Sequence, residues 1–268
     1  MESLNPDQVR EAVRQNYAEV AKLATTAGCG CTSTSCCTDG STRSVEMVSL
    51  QLGYAPTEIA YVPEGSNLGL GCGNPQAIAA LQPGETVVDL GSGAGFDCFL
   101  AAQQVGKSGC VVGVDMTPEM IARARDNATQ GGYANVEFRQ GAIEHLPIAD
   151  GFADVIISNC VINLSPDKAQ VFREAFRTLK VGGRLAISDV VASALLPDDI
   201  WSDMALLSGC IAGAALISDI EAMLRDAGFV DIRITSKDES REFIRNWSPR
   251  SNVTDYVVSA TIEAVKRG

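Results

Sequence analysis

Histidine is nearly missing from this chain: His145 stands alone among 268 residues. Zinc catalysis built on imidazole needs several, so that chemistry is disfavoured from the start. Cations are also scarce, with 21 Lys and Arg against 33 Asp and Glu and a net charge of -12. A phosphate backbone rewards clustered Lys and Arg, so nucleic acid is not expected as a partner. Long apolar runs are absent too. Nothing reaches the length of a bilayer span, and the opening MESLNPDQVREAV carries no apolar core of leader length. The expectation is a cytoplasmic protein with no membrane partner. Aromatics are sparse at 6%, yet apolar residues at 46% suffice for a full core. There is no internal repeat, and this length suits one large α/β domain or one domain with an appended segment.

Cysteine is the residue in surplus. There are nine, an odd number. A reducing compartment keeps thiols free, so a disulfide framework is not expected. That leaves metal or metalloid binding, redox work, or plain burial.

The most informative stretch is VVDLGSGAGFDC, Val87 to Cys98. An apolar run ends in Asp89, passes into Gly91, Ser92 and Gly93, and continues as the helical pattern FLAAQQV. Strand, glycine turn and helix in that order bring backbone N–H groups close to a ligand. A carboxylate at Asp89 would repel a diphosphate and suits a cationic amine. A dinucleotide oxidoreductase would want a third glycine near position 96, where Phe96 and Asp97 stand. The next strand, CVVGVDM, ends in Asp115, placed to take the two hydroxyls of a ribose. A nucleoside with a cationic, amino-acid-like tail fits both acids, and S-adenosylmethionine is such a molecule. Its expected contacts are Asp89, Gly91, Ser92, Gly93 and Asp97 in the turn and Asp115 and Met116 after the second strand. Ala142, Ile143 and Glu144 follow the third strand, and Asn159 ends the fourth.

The rest of the chain reads as a doubly wound fold. A helix is predicted over 5–24, with Val9, Val13, Tyr17, Val20 and Leu23 on one face. TTAGCGCTSTSCCTDGST follows, a loop without periodicity that holds Cys29, Cys31, Cys36 and Cys37. Their spacing matches no familiar zinc pattern, and exchangeable thiols suit it better than a rigid metal knot. A short helix is expected over 44–52. Cys72 sits between two glycines just before the helix start Asn74-Pro75, where a helix N-terminus favours thiolate. Strands are predicted in TVVDL, CVVGVDM, NVEFRQG, ADVIISN, GRLAISDV, FVDIRIT and TDYVVSATIEAV. Helices fall at 96–105, 118–130, 166–180 and 219–227. The fold class is α/β: a Rossmann-like, mostly parallel seven-stranded sheet with an antiparallel edge strand. An N-terminal helical, Cys-rich segment over 1–82 precedes a cofactor-binding domain over 83–268. A largely apolar, helical cap is inserted at about 197–217.

Cys160 ends the fourth strand, Cys72 precedes the first, and Cys210 lies in the cap. All three can reach the carboxyl edge of the sheet, where such folds bind ligands. Three soft thiolates without imidazole select a soft ion, and arsenic(III), whose lone pair completes a pyramid of three sulfurs, is the candidate. Cys98 and Cys110 read as buried apolar residues. A methyltransferase acting on an organic oxygen, nitrogen or sulfur and a non-catalytic metalloid-binding protein are the alternatives.

DLGSGAGFDCFLAA, GVDMTPEM, SNCVINLSPDK, GGRLAISDVV and GCGNP together resemble the arsenite methyltransferase family, from about Tyr54 to Gly228. The resemblance implies S-adenosylmethionine as cofactor and arsenite and methylated arsenicals as substrates. It implies that Cys72, Cys160 and Cys210 bind arsenic(III). It also implies that one of Cys29, Cys31, Cys36 and Cys37 exchanges disulfides with them, with a thiol reductant of glutathione or thioredoxin type.

Overall fold

A computed structural model describes residues 5–23, 44–201, 203, 206–207, 209–247 and 252–268. Cys29, Cys31, Cys36 and Cys37, and the loop predicted around them, lie outside the described residues.

One seven-stranded sheet organises the molecule: β1 (Thr86–Leu90), β2 (Cys110–Asp115), β3 (Val136–Gln140), β4 (Ala153–Asn159), β5 (Leu179–Ala192), β6 (Phe229–Lys237) and β7 (Val257–Lys266). Their order across the sheet is β3-β2-β1-β4-β5-β7-β6. The parallel pairs join β3 through β5, and β7 runs antiparallel to both β5 and β6. The predicted antiparallel pairing therefore falls at this side of the sheet, with β7 slotted inside the outermost strand β6. The chain winds outward from β1 in one direction and from β4 in the other. A crevice must open between those two strands at their carboxyl ends.

The strands are apolar on both sides because helices cover both faces. Val88, Leu90, Val112, Val114, Ile156 and Ile187 share one core with Phe172 and Leu224. Val87, Val111, Val155 and Ile157 share the other with Phe99 and Phe138. Alternate residues of one strand thus enter different cores, the two-residue period of an extended chain. The helices are α1 (Pro6–Leu23), α2 (Val45–Gln51), α3 (Pro56–Tyr61), α4 (Gln76–Ala79), α5 (Phe96–Val105), α6 (Pro118–Gly131), α7 (Lys168–Thr178), α8 (Asp198–Trp201), α9 (Ile217–Ala227) and α10 (Ser240–Arg245).

Local chemistry moves some ends from their expected places. α7 begins at Lys168 because Asp167 caps it, accepting the Gln170 N–H at 2.9 Å, and it stops where β5 starts at Leu179. In the cap, α8 is a four-residue helix, and Ile217 already belongs to α9. α1 is capped by the Asn5 side chain, which accepts the Asp7 N–H at 2.9 Å. It lies across α6, tied by an Arg123 hydrogen bond to the Ala21 carbonyl at 3.1 Å and a Lys22–Glu119 ion pair at 3.3 Å. No helix among the described residues is long and apolar enough to cross a membrane.

Candidate active site

A cavity of about 380 Å³ occupies the crevice above β1, β2 and β4. Its floor is the glycine turn after β1. Gly91, Gly93 and Gly95 have φ of 71, 52 and 96°, values that side chains with a Cβ rarely adopt. A Cβ on Gly91 would stand 2.4 Å from Val161, whereas one on Gly93 would meet nothing within 4 Å. Gly93 therefore presents bare backbone to the cavity. Gly91→Ala is expected to cost about 2 kcal/mol or more through overpacking and left-handed strain, read as a lower denaturant midpoint.

Asp115 closes the turn by accepting the Gly93 N–H at 3.0 Å and the Thr117 N–H at 2.8 Å. Asp89 accepts a hydrogen bond from the Cys98 thiol at 3.2 Å; Cys98 is buried in the core with Phe99 and Phe138, as expected, whereas Cys110 is only half-buried. Burial, with the Asp97 charge beside it, pushes the Asp89 carboxyl well above the usual range. Asp97 lies in the first turn of α5 and accepts the Tyr54 hydroxyl at 2.9 Å. Burial pushes Asp97 up to about 6, although hydrogen bonds from Tyr54, Asn159 and Gln76 pull the other way. Glu144 accepts the Ser165 hydroxyl at 2.7 Å and pairs with Arg10 at 3.3 Å.

These four carboxylates line the cavity, and among the described lining residues Arg10 is the one cation. An acidic, buried and partly apolar chamber favours a cation. Met116 and Ile143 give it apolar flanks for a flat base. Of the other expected contacts, Gly91, Ser92 and Asn159 line the cavity and Ala142 does not. The Ser92 hydroxyl lies near Gly113, buried and without a partner, so its backbone is what faces the cavity. A nucleoside with a cationic tail fits this cradle on shape and charge.

The three cysteines belong to one buried apolar cluster, together with Val9 and Val13 of α1 and Ile211 of the cap. Cys160 and Cys210 line the same cavity as the acids, and Cys72 stands behind its wall. The Cys72 and Cys160 sulfurs lie within 4.8 Å of each other and of an Asp189 carboxylate oxygen. Cys210 is outside that trio, its sulfur held at 2.7 Å from the Cys160 carbonyl oxygen. Cys160 lies close enough to both other cysteines for each to shift its thiol. Cys160 and Cys210 adopt left-handed backbone, φ 60 and 64°. The strain is held by a buried clamp: Asp189 accepts the Ile162 N–H at 3.0 Å and the Asn163 amide at 2.9 Å. Asn163 also donates to the Cys210 carbonyl at 3.3 Å.

The expectation that Cys72 is a thiolate is overturned. Burial pushes it up to about 11, and α4 behind it is four residues long, too short to offset that cost. Contact with Cys160 and burial push Cys210 well up. For Cys160 the Cys210 contact pulls down, but the Cys72 contact and burial outweigh it. At neutral pH this is a nest of neutral thiols.

Sequence reasoning passed over Tyr54 and Gln76, which hold Asp97, and Arg10, Val13 and Tyr17, which make α1 a wall of the cavity. Only the amphipathic pattern of α1 hinted that it covers something. Asp189 was hidden inside an apolar strand, visible only as the one charge in LAISDVV.

Residues 81–228 match the family model described as a methyltransferase domain. The chain is 52% identical to an arsenite methyltransferase of Halobacterium salinarum, over 98% of this chain and 68% of that one. It is 50% identical to an arsenite methyltransferase of Aquipseudomonas alcaligenes over 64% of this chain, spanning about half of the relative's length, 51%. Among solved structures, an arsenic(III) S-adenosylmethionine methyltransferase from Chlamydomonas reinhardtii superposes with a TM-score of 0.62. It is 36% identical and covers 82% of this chain and 73% of its own. The acidic nucleoside cradle and the adjoining thiols thus have a family to go with them: this chain belongs to the arsenite methyltransferases.

Proposed function

We propose that this chain transfers a methyl group from S-adenosylmethionine to trivalent arsenic carried on Cys72, Cys160 and Cys210. The observation that supports it most is that Cys160 and Cys210 open into the same chamber as Asp89, Asp97 and Asp115.

The neutral state of the thiols suits arsenite. As(OH)3 is uncharged near neutral pH, and three thiols replace its three hydroxides. Each sulfur gives its proton to the departing hydroxide, so three waters leave and no charge is stranded in the apolar site. A divalent cation would instead have to expel protons from a buried cluster. Three sulfurs below leave the arsenic lone pair pointing away from them, into the chamber.

When bound, S-adenosylmethionine supplies an electrophilic methyl group on a sulfonium. Asp89 and Asp97 are the proposed partners of its ammonium, Asp115 of the ribose hydroxyls, and Met116 and Ile143 of the base. The nucleophile is a lone pair that carries no proton, so no general base is required, in keeping with a chain that has one histidine. Orientation and the exclusion of water by α1 and the cap then carry the rate. Forming the As–C bond uses the lone pair and oxidises arsenic to the pentavalent state. Two electrons from a pair of thiols, leaving a disulfide, return it to the trivalent state. Cys29, Cys31, Cys36 and Cys37 are the proposed exchange partners, with glutathione or a thioredoxin-type protein as reductant. The proposed site of action is the cytoplasm, where thiols stay reduced.

Purified chain given arsenite, S-adenosylmethionine and a thiol reductant is expected to yield methylated arsenicals by chromatography with mass detection. Cofactor turnover without a methylated arsenical would point to an organic acceptor, and arsenic binding without turnover to a non-catalytic protein. The pH dependence follows from Asp97. Its carboxyl, raised to about 6, is ionised above that value and neutral below it. Affinity for the cationic tail is therefore expected to fall as pH drops through about 6. The native state also binds this proton more tightly than the unfolded chain, so the Asp97 contribution to stability falls as pH rises from about 4 to 6. Titration of S-adenosylhomocysteine binding between pH 5 and 8 measures the first effect.

A further inference from the structure

The two halves of the site share a hydrogen-bonded frame that centres on a residue outside the cavity. Tyr54 lies between α2 and α3 and is 3% exposed. Its ring meets Phe96 edge-on with centroids 4.8 Å apart. Its backbone N–H is fixed to the Ser49 carbonyl at 3.1 Å. Its hydroxyl donates to Asp97 at 2.9 Å and accepts the Asn159 amide at 2.9 Å. Asn159 also donates to the Gly73 carbonyl at 2.8 Å and accepts the Cys72 N–H at 3.0 Å.

The donors therefore run in one direction: Cys72 N–H to Asn159, Asn159 to Tyr54, Tyr54 to the Asp97 carboxylate. Such a series strengthens each member and ends on the group best able to accept. The glycines beside Cys72 belong to the same frame. A Cβ on Gly71 would stand 2.7 Å from the Asn159 amide, and one on Gly73 would stand 3.0 Å from Ser188. The turn carrying Cys72 is thus packed closely against Asn159 on one side and Ser188 on the other. A second strap runs alongside it: Asn74 donates to the Gly53 carbonyl at 3.2 Å, and Gln76 donates to the Asp97 carbonyl at 3.0 Å.

We propose that Tyr54 is a positioning residue common to both substrates. Its hydroxyl orients Asp97 toward the cofactor tail and, through Asn159, fixes the turn that presents Cys72. The proposal rests on the cofactor reading above but not on arsenic being the methyl acceptor. Removing the phenol oxygen takes two hydrogen bonds out of this buried frame and leaves only the long Asn159-to-Asp97 contact, 3.4 Å, to join its halves, so disturbance should spread both ways.

Tyr54→Phe keeps the ring and its contact with Phe96 and removes only the oxygen. Two readouts on the purified full chain need no arsenic: calorimetric affinity for S-adenosylhomocysteine, and amide hydrogen exchange over the segment carrying Cys72. The variant is expected to bind S-adenosylhomocysteine about tenfold more weakly and to exchange at Cys72 about tenfold faster, the scale of one buried hydrogen bond. Ile59→Ala loosens the apolar cluster around Tyr54 without touching these hydrogen bonds and is expected to change neither readout. An unchanged affinity or an unchanged exchange rate in Tyr54→Phe overturns the shared role. So does an Ile59→Ala variant that reproduces both effects. The arsenite product assay enters neither readout, so the arsenic reading can fail while this one stands.

Discussion

Cys160→Ser is expected to lower arsenite methylation about a hundredfold or more while S-adenosylhomocysteine binds within about twofold of the unaltered chain. Serine has nearly the shape of cysteine, so the left-handed backbone at φ 60° and its clamp are preserved. What disappears is the sulfur that lies within 4.8 Å of the Cys72 sulfur, on the residue whose carbonyl holds the Cys210 thiol. A hydroxyl is a hard donor and does not replace a thiolate on a soft acceptor. The arsenic would be left with two sulfurs that have lost their common neighbour. Asp89, Asp97 and Asp115, the carboxylates proposed to hold the cofactor, stand on β1, α5 and β2, away from this sulfur's strand. Cys110→Ser is the control: that thiol is half-buried on β2 and lines no part of the cavity, so its activity should be unchanged. Steady-state methylation assays and calorimetry check the pair. Full activity in Cys160→Ser would remove the three-thiol site from the account.

Asp115→Ala is expected to act on the opposite side, weakening S-adenosylhomocysteine binding about a hundredfold and leaving arsenite binding to the thiols intact. The carboxylate accepts two backbone N–H groups that shape the turn, and it is the proposed acceptor for two ribose hydroxyls. Hydrogen bonds to a charged group contribute about 1.5–3 kcal/mol each, so losing even the cofactor's share reaches that range. Asp115→Asn retains one acceptor and should fall between. A calorimetric titration of Asp115→Ala with no loss would refute the ribose assignment. Together the two substitutions divide the site: one removes the acceptor, the other the donor of the methyl group.

Much of this was legible in the chain. The strand–glycine–helix order, the acids ending β1 and β2, and the apolar strands were readable because each depends on residues near in sequence. Cys160 could be placed at the cavity because strand ends in this topology have one possible side, and Cys210 because the inserted cap can reach that same side. Less visible was anything that depends on long contacts. Tyr54 meets Asp97 across 43 positions, and its own neighbourhood has no periodicity to mark it. Arg10 reaches Glu144 across 134 positions, which makes α1 a wall of the site and not an appendage. β7 could be identified as a strand, but its insertion between β5 and β6 is decided by pairing, which no local pattern encodes. The expected thiolate at Cys72 failed for a related reason. A helix start is written in the sequence, whereas the depth at which the sulfur is buried is not.

X-ray absorption at the arsenic edge of the arsenite-loaded protein tests the central claim most directly. The account predicts a first shell of sulfur alone, three atoms in the unaltered chain, reduced in number when Cys160, Cys210 or Cys72 is replaced by serine. A shell that contains oxygen, or one that does not change in those variants, would contradict it.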